Sequence, residues 1–419
     1  MSLNLSTLGI TNSIIDLQNQ INDLDVDITG KQDTITDDSL QISYTQGLQD
    51  ALDQKQDTIT NSTSISASSF LSLHQYRGIP QQTIDITSIT GITQTGLGNQ
   101  LYNGGVLARN GKIYCIPRDN NNMLIIDPLT NTYDDTTLSG ASVGIETLTS
   151  KFNGGVLARN GKIYCIPNSR PYVLAIDPET NTGIQITGVN SGSNKYWGGV
   201  LAPNGKIYGI PFGQTNVLII DPETDTVDIT TITGISGSFK YAGGVLAPNG
   251  KIYGIPYSAT NVLIIDPETN TADTTTISTG LTGGLKYNGG VLAPNGKIYG
   301  IPYRANHVLI IDPETNTIDT TTITGISGFN QYVGGVLAPD GKIYCIAHNA
   351  YDIFVIDPET DTATTITGVL STISKYFGGV LAPNGIIYGI PAISTNVLQI
   401  KTGLPKYPDW MLQAYFNKF

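Results

Sequence analysis

"GGVLAPNGKIYGIP" occupies residues 198–211 and returns unchanged at 243–256 and 289–302. Near copies stand at 104–117, 154–167, 334–347 and 378–391. The Gly-Gly pairs begin at 104, 154, 198, 243, 289, 334 and 378, so the spacings are 50, 44, 45, 46, 45 and 44. A period in this range marks a repeat architecture. From Gly243, the unit reads "GGVLA", the turn "PNG", "KIYGIPY", a link, "NVLIID", the turn "PETN" and the Thr-rich "TADTTTIS". Each run has four to eight residues between Gly, Pro, Asn or Asp, which is the pattern of strands joined by tight turns. Nothing in the unit has helical spacing.

Four short antiparallel strands, seven times over, predict an all-β fold, a seven-bladed β-propeller. Sheets packed face to face around an axis explain why the first three strands are apolar runs. The last copy, "GGVLAPNGIIYGIPAISTNVLQIKTG", stops before any Asp-Pro turn or fourth strand. The missing strand stands ahead of the first Gly-Gly pair: "TIDITSITGI" at 83–92 matches "TIDTTTITGI" at 317–326. The N-terminal segment should therefore supply the outer strand of the last blade and close the ring, leaving no orphan edge.

Counting strand directions puts the "PNG" and "DPETN" turns on one face, here the underside. The links between second and third strands, and those between blades, fall on the top. The underside turns barely change, whereas the top links run "RDNNN", "NSRPY", "FGQT", "YSAT", "YRANH", "AHNAYD" and "AIST". Variable loops on a rigid scaffold are the usual seat of binding. The candidate ligand residues are Arg118, Arg170, Tyr172, Phe212, Tyr257, Tyr303, Arg304, His307, His348 and Tyr351. Lys195, Lys240 and Lys286, with Lys151 and Lys375, precede the Gly-Gly pairs and are expected to form a cationic rim at the channel mouth, suited to an anionic ligand. A second set, Lys112, Lys162, Lys206, Lys251, Lys297 and Lys342, should be neutralised by the underside carboxylates.

The 419 residues carry a formal net charge of -12, with 13% charged residues. Ten Asp against Lys31, Lys55 and Arg77 give residues 1–80 a charge of -7, leaving -5 for the rest. Such a balance argues against nucleic acid as a partner. No apolar stretch approaches a membrane span, and "MSLNLSTLGITNSIIDLQ" does not read as a signal peptide. Cys115, Cys165 and Cys345 share one repeat position, too far apart to bridge, and are expected to be reduced and packed. No catalytic motif appears, the three histidines lack metal-ligand spacing, and no cofactor or metal is expected; the chain does not read as an enzyme.

Three regions follow: an arm, 1–80, the propeller, 81–402, and an aromatic tail, 403–419. In the arm, Ile10, Ile14, Leu17, Ile21, Leu24 and Ile28 form a short heptad seam whose isoleucines favour three strands. "KQDTIT" recurs at 31–36 and 55–60. The pattern "LQDALDQKQDTIT" at 48–60 resembles the stalk modules of trimeric viral and phage fibres. The propeller unit resembles repeats of proteins from giant DNA viruses, and "NVLIIDPETDTVDIT" at 216–230 is similar to the YVTN propellers, from whose pattern the Gly-Gly strand departs. The resemblance implies a fibre or spike on the virion surface, assembled in the host cytoplasm. It implies a homotrimer through residues 1–80, a virion or capsid protein as the N-terminal partner, and a host surface glycan as a ligand for the heads. A purely structural virion component is the alternative, and a lyase- or lactonase-like propeller enzyme a further one.

Overall fold

The computed structural model describes residues 82–140, 144–278, 280–367 and 375–402. The arm, 1–80, and the tail, 403–419, lie outside the described residues, as do the expectations placed on them. The described chain forms seven four-stranded antiparallel sheets and no helix. In six of them the strands follow one another in chain order, and blade four is representative: Tyr241–Leu246, Ile252–Pro256, Leu263–Asp266 and Thr271–Asp273.

The seventh blade joins the two ends of the ring. Its first three strands are Tyr376–Leu381, Ile386–Pro391 and Leu398–Lys401. Its fourth is Thr83–Asp85, with Thr83 opposite Lys401 and Asp85 opposite Gln399. Ile89 and Ile92 follow it into the core at 2% exposure. The amide of Ile92 donates to Thr395 O, and the amide of Val397 to Ile89 O.

The Gly-Gly pair is required twice over. The first glycine of each pair has a positive φ, from 69° at Gly334 to 84° at Gly243, and sits where the register of the first two strands shifts. A Cβ on Gly243 would stand 3.2 Å from the Cα of Gly289 in the next blade. The seven first glycines thus form the innermost ring. Each second glycine faces the preceding blade: a Cβ on Gly199 would lie 2.7 Å from Ile166 Cδ1. Side chains there would force the blades apart.

The underside is stitched by side chains. In blade three, Asn204 of the "PNG" turn accepts from the Lys206 amide and donates to the Tyr208 hydroxyl and to Pro267 O of blade four. Five equivalents reach Pro178, Pro222, Pro313, Pro358 and Pro128. The expected neutralisation of the lysines is present. Lys112, Lys206, Lys251 and Lys342 pair with the carboxylates of their own blades at 3.2–3.5 Å. Lys162 and Lys297 reach forward to Asp225 and Asp361, where the next turn reads "DPETD".

Two departures from the repeat mark the closing blade. Blade seven has no Asp-Pro turn, so blade six has no proline carbonyl to hold; there the asparagine becomes Asp340, which accepts from its own Tyr344 hydroxyl at 2.7 Å. Blade seven also lacks the carboxylate that the lysine would pair with, and Ile386 replaces that lysine.

Fourth strands come in two lengths, set by one residue. Where the third position is aspartate, as in "TVDITT", Asp228 accepts from the amides of Thr230 and Thr231, and the strand stops after three residues. Blades two and six lack this aspartate, and their strands run six residues, Thr182–Thr187, and five, Thr362–Ile366. A carboxylate that captures the next two amides offers the backbone an alternative to the ladder.

Candidate functional site

The top of the ring is stitched by a continuous backbone circuit. In each blade the residue after the second strand, Arg118, Asn168, Phe212, Tyr257, Tyr303, His348 or Ala392, donates its amide to the carbonyl of the residue three before the Gly-Gly pair. Its carbonyl accepts from the equivalent residue of the next blade. The Tyr257 amide donates to Lys240 O at 2.8 Å, and the Lys286 amide donates to Tyr257 O at 2.8 Å. The circuit closes through the Leu101 amide and Ala392 O at 2.7 Å. Because no side chain takes part, this position changes from arginine to tyrosine to alanine without disturbing the scaffold. Seven side chains are thereby held in register around the pore mouth.

Five of the expected residues meet there: Arg118, Phe212, Tyr257, Tyr303 and His348. They are joined by Trp197 and Phe377, which sequence reasoning missed. The Trp197 ring lies 4.8 Å from Phe212, 5.8 Å from Phe377 and 6.2 Å, stacked, from Tyr257. Tyr257 continues to Tyr303 at 5.8 Å, Tyr303 to His348 at 6.2 Å and His348 to Phe377 at 5.2 Å. The signal for the missed pair is the residue directly before Gly-Gly, which is Asn in three copies and Trp and Phe in two others.

Arg118 reaches into this circle from blade one. Its guanidinium carbon is 6.0 Å from the centroids of both Trp197 and Phe377. Its Nε is buried without a hydrogen-bond partner. The neighbouring carboxylate, Asp119, is occupied by the amides of Gln100 and Ser150 at 3.0 and 2.7 Å. Burial lowers the Arg118 pKa from its usual range. Burial also lowers that of His348, with Lys375 and Arg118 adding to it, while the bond between its Nδ1 and Tyr376 O opposes the shift.

The remaining expected residues stand elsewhere. His307 lies just before a third strand, bridged to Thr324 and edge-on to Tyr287 at 5.9 Å, and does not meet His348. Tyr172 is 4% exposed, its ring tilted against Phe152 at 6.1 Å and its hydroxyl donating to Gly144 O. Arg170 is buried and paired with Glu146 at 3.0 Å beside an open cavity of about 440 Å³. Arg304 lies over Phe329, and Tyr351 projects from the rim with Lys375 Nζ 5.4 Å from its ring.

The cationic rim is corrected. Lys195, Lys240 and Lys286 are 0–5% exposed, and so are Lys151 and Lys375. Their ammonium groups point into the wall and donate to backbone carbonyls: Lys195 to Gly192 O and Lys286 to Gly283 O, both at 2.9 Å, and Lys240 to Gly237 O and Gln214 O. Burial lowers each of the five to about 8. The sequence position was read correctly, but the side chain folds back to satisfy the tight link that precedes it. Cys115, Cys165 and Cys345 are free and buried as expected, and burial pushes their thiols up.

The top also exposes apolar side chains in its outer links: Leu97, Leu148, Phe239, Phe329, Tyr351 and Ile393 are 44–74% exposed. Phe239 holds a left-handed backbone, φ 49°, which is unusual for a bulky residue.

No family model and no curated protein matches this sequence. Solved propellers match the fold. Virginiamycin B lyase from Staphylococcus aureus is 11% identical over 77% of this chain and all of its own, with a TM-score of 0.61. The extracellular domain of a two-component system from B. thetaiotaomicron is 12% identical over 79% of this chain and 44% of its own, at 0.58. Hydrazine synthase of Kuenenia stuttgartiensis is 14% identical over 74% and 98%, at 0.56. This range of functions at such identities establishes the propeller and nothing narrower.

Proposed function

We propose that the propeller is a binding head, carried on the self-associating arm of residues 1–80 as the attachment fibre of a virion, and that it engages a host surface glycan through its top. The observation that carries this reading is the contrast between faces: uniform turns below, and above them an aromatic ring around an unpaired arginine with exposed apolar links outside it. The resemblance of the arm to trimeric fibre stalks supports the trimer, and its N-terminus is the end that would meet a virion or capsid protein. The head binds rather than transforms its ligand. At the pore mouth a histidine, two phenols and a guanidinium gather, and among the described residues no free carboxylate joins them to complete a carboxylate–histidine pair.

The test is adsorption of the full-length protein to host cells and to arrayed glycans. A top variant, Phe239→Ser with Phe329→Ser and Tyr351→Ser, should lose adsorption. An underside control, Leu129→Ser, which alters a side chain 93% exposed on the opposite face, should adsorb like the parent chain. Equal adsorption of top variant and parent, or none by either, overturns the attachment reading. Cleavage of a bound glycan overturns the non-catalytic one.

A further inference from the structure

Arg118 is a cation set against Trp197 and Phe377 in a circle of rings drawn from five other blades, and its charge is not matched. It pairs with no carboxylate among the described residues, its Nε makes no hydrogen bond, and Asp119 beside it already accepts two amides. Contacts with Trp197 and Phe377 offset part of the lost hydration. A guanidinium with a buried, unpartnered Nε still favours an oxyanion, which it receives with two parallel N–H donors. Trp197, Tyr303 and Arg118 are only partly buried, so this end of the cluster opens to solvent. The hydroxyls of Tyr257 and Tyr303 carry no hydrogen bond among the described residues.

We infer that the pore mouth is a receptor for one carboxylate of an acidic pyranose: the Arg118 guanidinium takes the carboxylate, the Trp197 ring supports a sugar face, and the Tyr257 and Tyr303 hydroxyls take ring hydroxyls. Two free phenols beside stacking faces suit a polyhydroxylated ring better than a peptide carboxylate, whose neighbours are amides and apolar side chains. The inference deepens the attachment reading and rests on it. It also moves the anion site from the lysines, which are consumed by the wall, to a single arginine that the repeat places on the axis.

The experiment uses the full chain carrying Trp410→Phe, which leaves Trp197 as its sole tryptophan. Methyl glucuronide and the methyl glycoside of N-acetylneuraminic acid are titrated against Trp197 fluorescence, in parallel with methyl glucoside and the sialoside methyl ester. At least one acid should bind at least tenfold more tightly than its uncharged counterpart. Arg118→Gln should abolish that preference while retaining the parent melting temperature, and Arg118→Lys should retain only part of it. Equal binding of acid and neutral partner, or a preference that survives Arg118→Gln, overturns the inference. Binding of none of the sugars also overturns it, and if the head still adsorbs to cells through its top, the attachment reading stands without it.

Discussion

On the underside, the equivalents of Asn204, Tyr208 and Lys206 recur with few changes of partner from blade to blade. On the top, the equivalent pore positions are occupied by Arg118, Asn168, Phe212, Tyr257, Tyr303, His348 and Ala392. Both faces hold neighbouring blades together. The underside does so with side chains, so its sequence is bound to its geometry. The top does so mainly with amides and carbonyls, so the side chains that follow its second strands are released for other uses. In this chain, sequence identity and structural importance part company: the top circuit is as complete as the lower one, although little of its sequence repeats.

The sharpest way to break the comparison is at the seam, where the top circuit is complete but the underside lacks its full set of bonds. Deleting residues 83–91 removes the fourth strand of blade seven together with Ile84, Ile86 and the buried Ile89. Isoleucine burial alone puts the loss at about 4–6 kcal/mol, or a fall in Tm of roughly 10 °C or more. Thermal denaturation followed by circular dichroism measures it. A melt within a few degrees of the parent would mean that the ring is held without its closing strand.

Next in size is the underside latch. Asn204→Ala removes the acceptor for the Lys206 amide and the donor to Tyr208 and Pro267 in one substitution. The expected cost is about 1–2 kcal/mol, because three bonds are lost while the Tyr208 hydroxyl keeps Asn270 Oδ1 at 2.7 Å and Pro267 O at 3.3 Å. Chemical denaturation reads it. Asp340, the natural substitute for this asparagine, supplies a contrast: Asp340→Asn has no forward proline carbonyl to gain and should not stabilise the chain.

The ring and its closure could be read directly from the sequence because each strand is bounded by Gly, Pro, Asn or Asp and the period counts the blades. The underside pairings followed from the same turns. The fate of the lysines did not, because a lysine before Gly-Gly reads identically whether it faces the channel or curls back onto the link behind it. Trp197 and Phe377 escaped notice because they sit inside a strand, where an aromatic residue ordinarily signals packing. That two strand residues and five link residues share one mouth depends on the bulge at Gly198 and Gly378, which spacing alone does not reveal.

Acid separates the blades by their fourth strands. Asp85, Asp134, Asp228, Asp273 and Asp319 each accept bonds from the residues that follow, and these hold their carboxyls down to about 2. The folded value lies below the unfolded one, so the stabilisation is complete above pH 4 and is lost as pH falls from about 4 towards 2. A pH titration of stability should steepen in that window. Asp228→Asn should flatten it slightly, since each group is largely exposed and its share is small. An unchanged slope would assign acid unfolding to the Lys–Asp pairs instead.

The smallest expected change is the one that tests what the top is for. Phe239 holds a left-handed backbone that costs a bulky residue about 1–2 kcal/mol, yet its ring is 44% exposed and gains little from burial beyond its 5.1 Å contact with Phe212. Phe239→Gly relieves the backbone and gives up that contact. The two terms nearly cancel, so the melting temperature should move by no more than a few degrees in either direction. If the strained aromatic is retained for recognition, adsorption should weaken although stability does not. A variant that melts like the parent and also adsorbs like it would leave the left-handed phenylalanine without a role in binding, and would move the contact surface inward to the arginine and its aromatic ring.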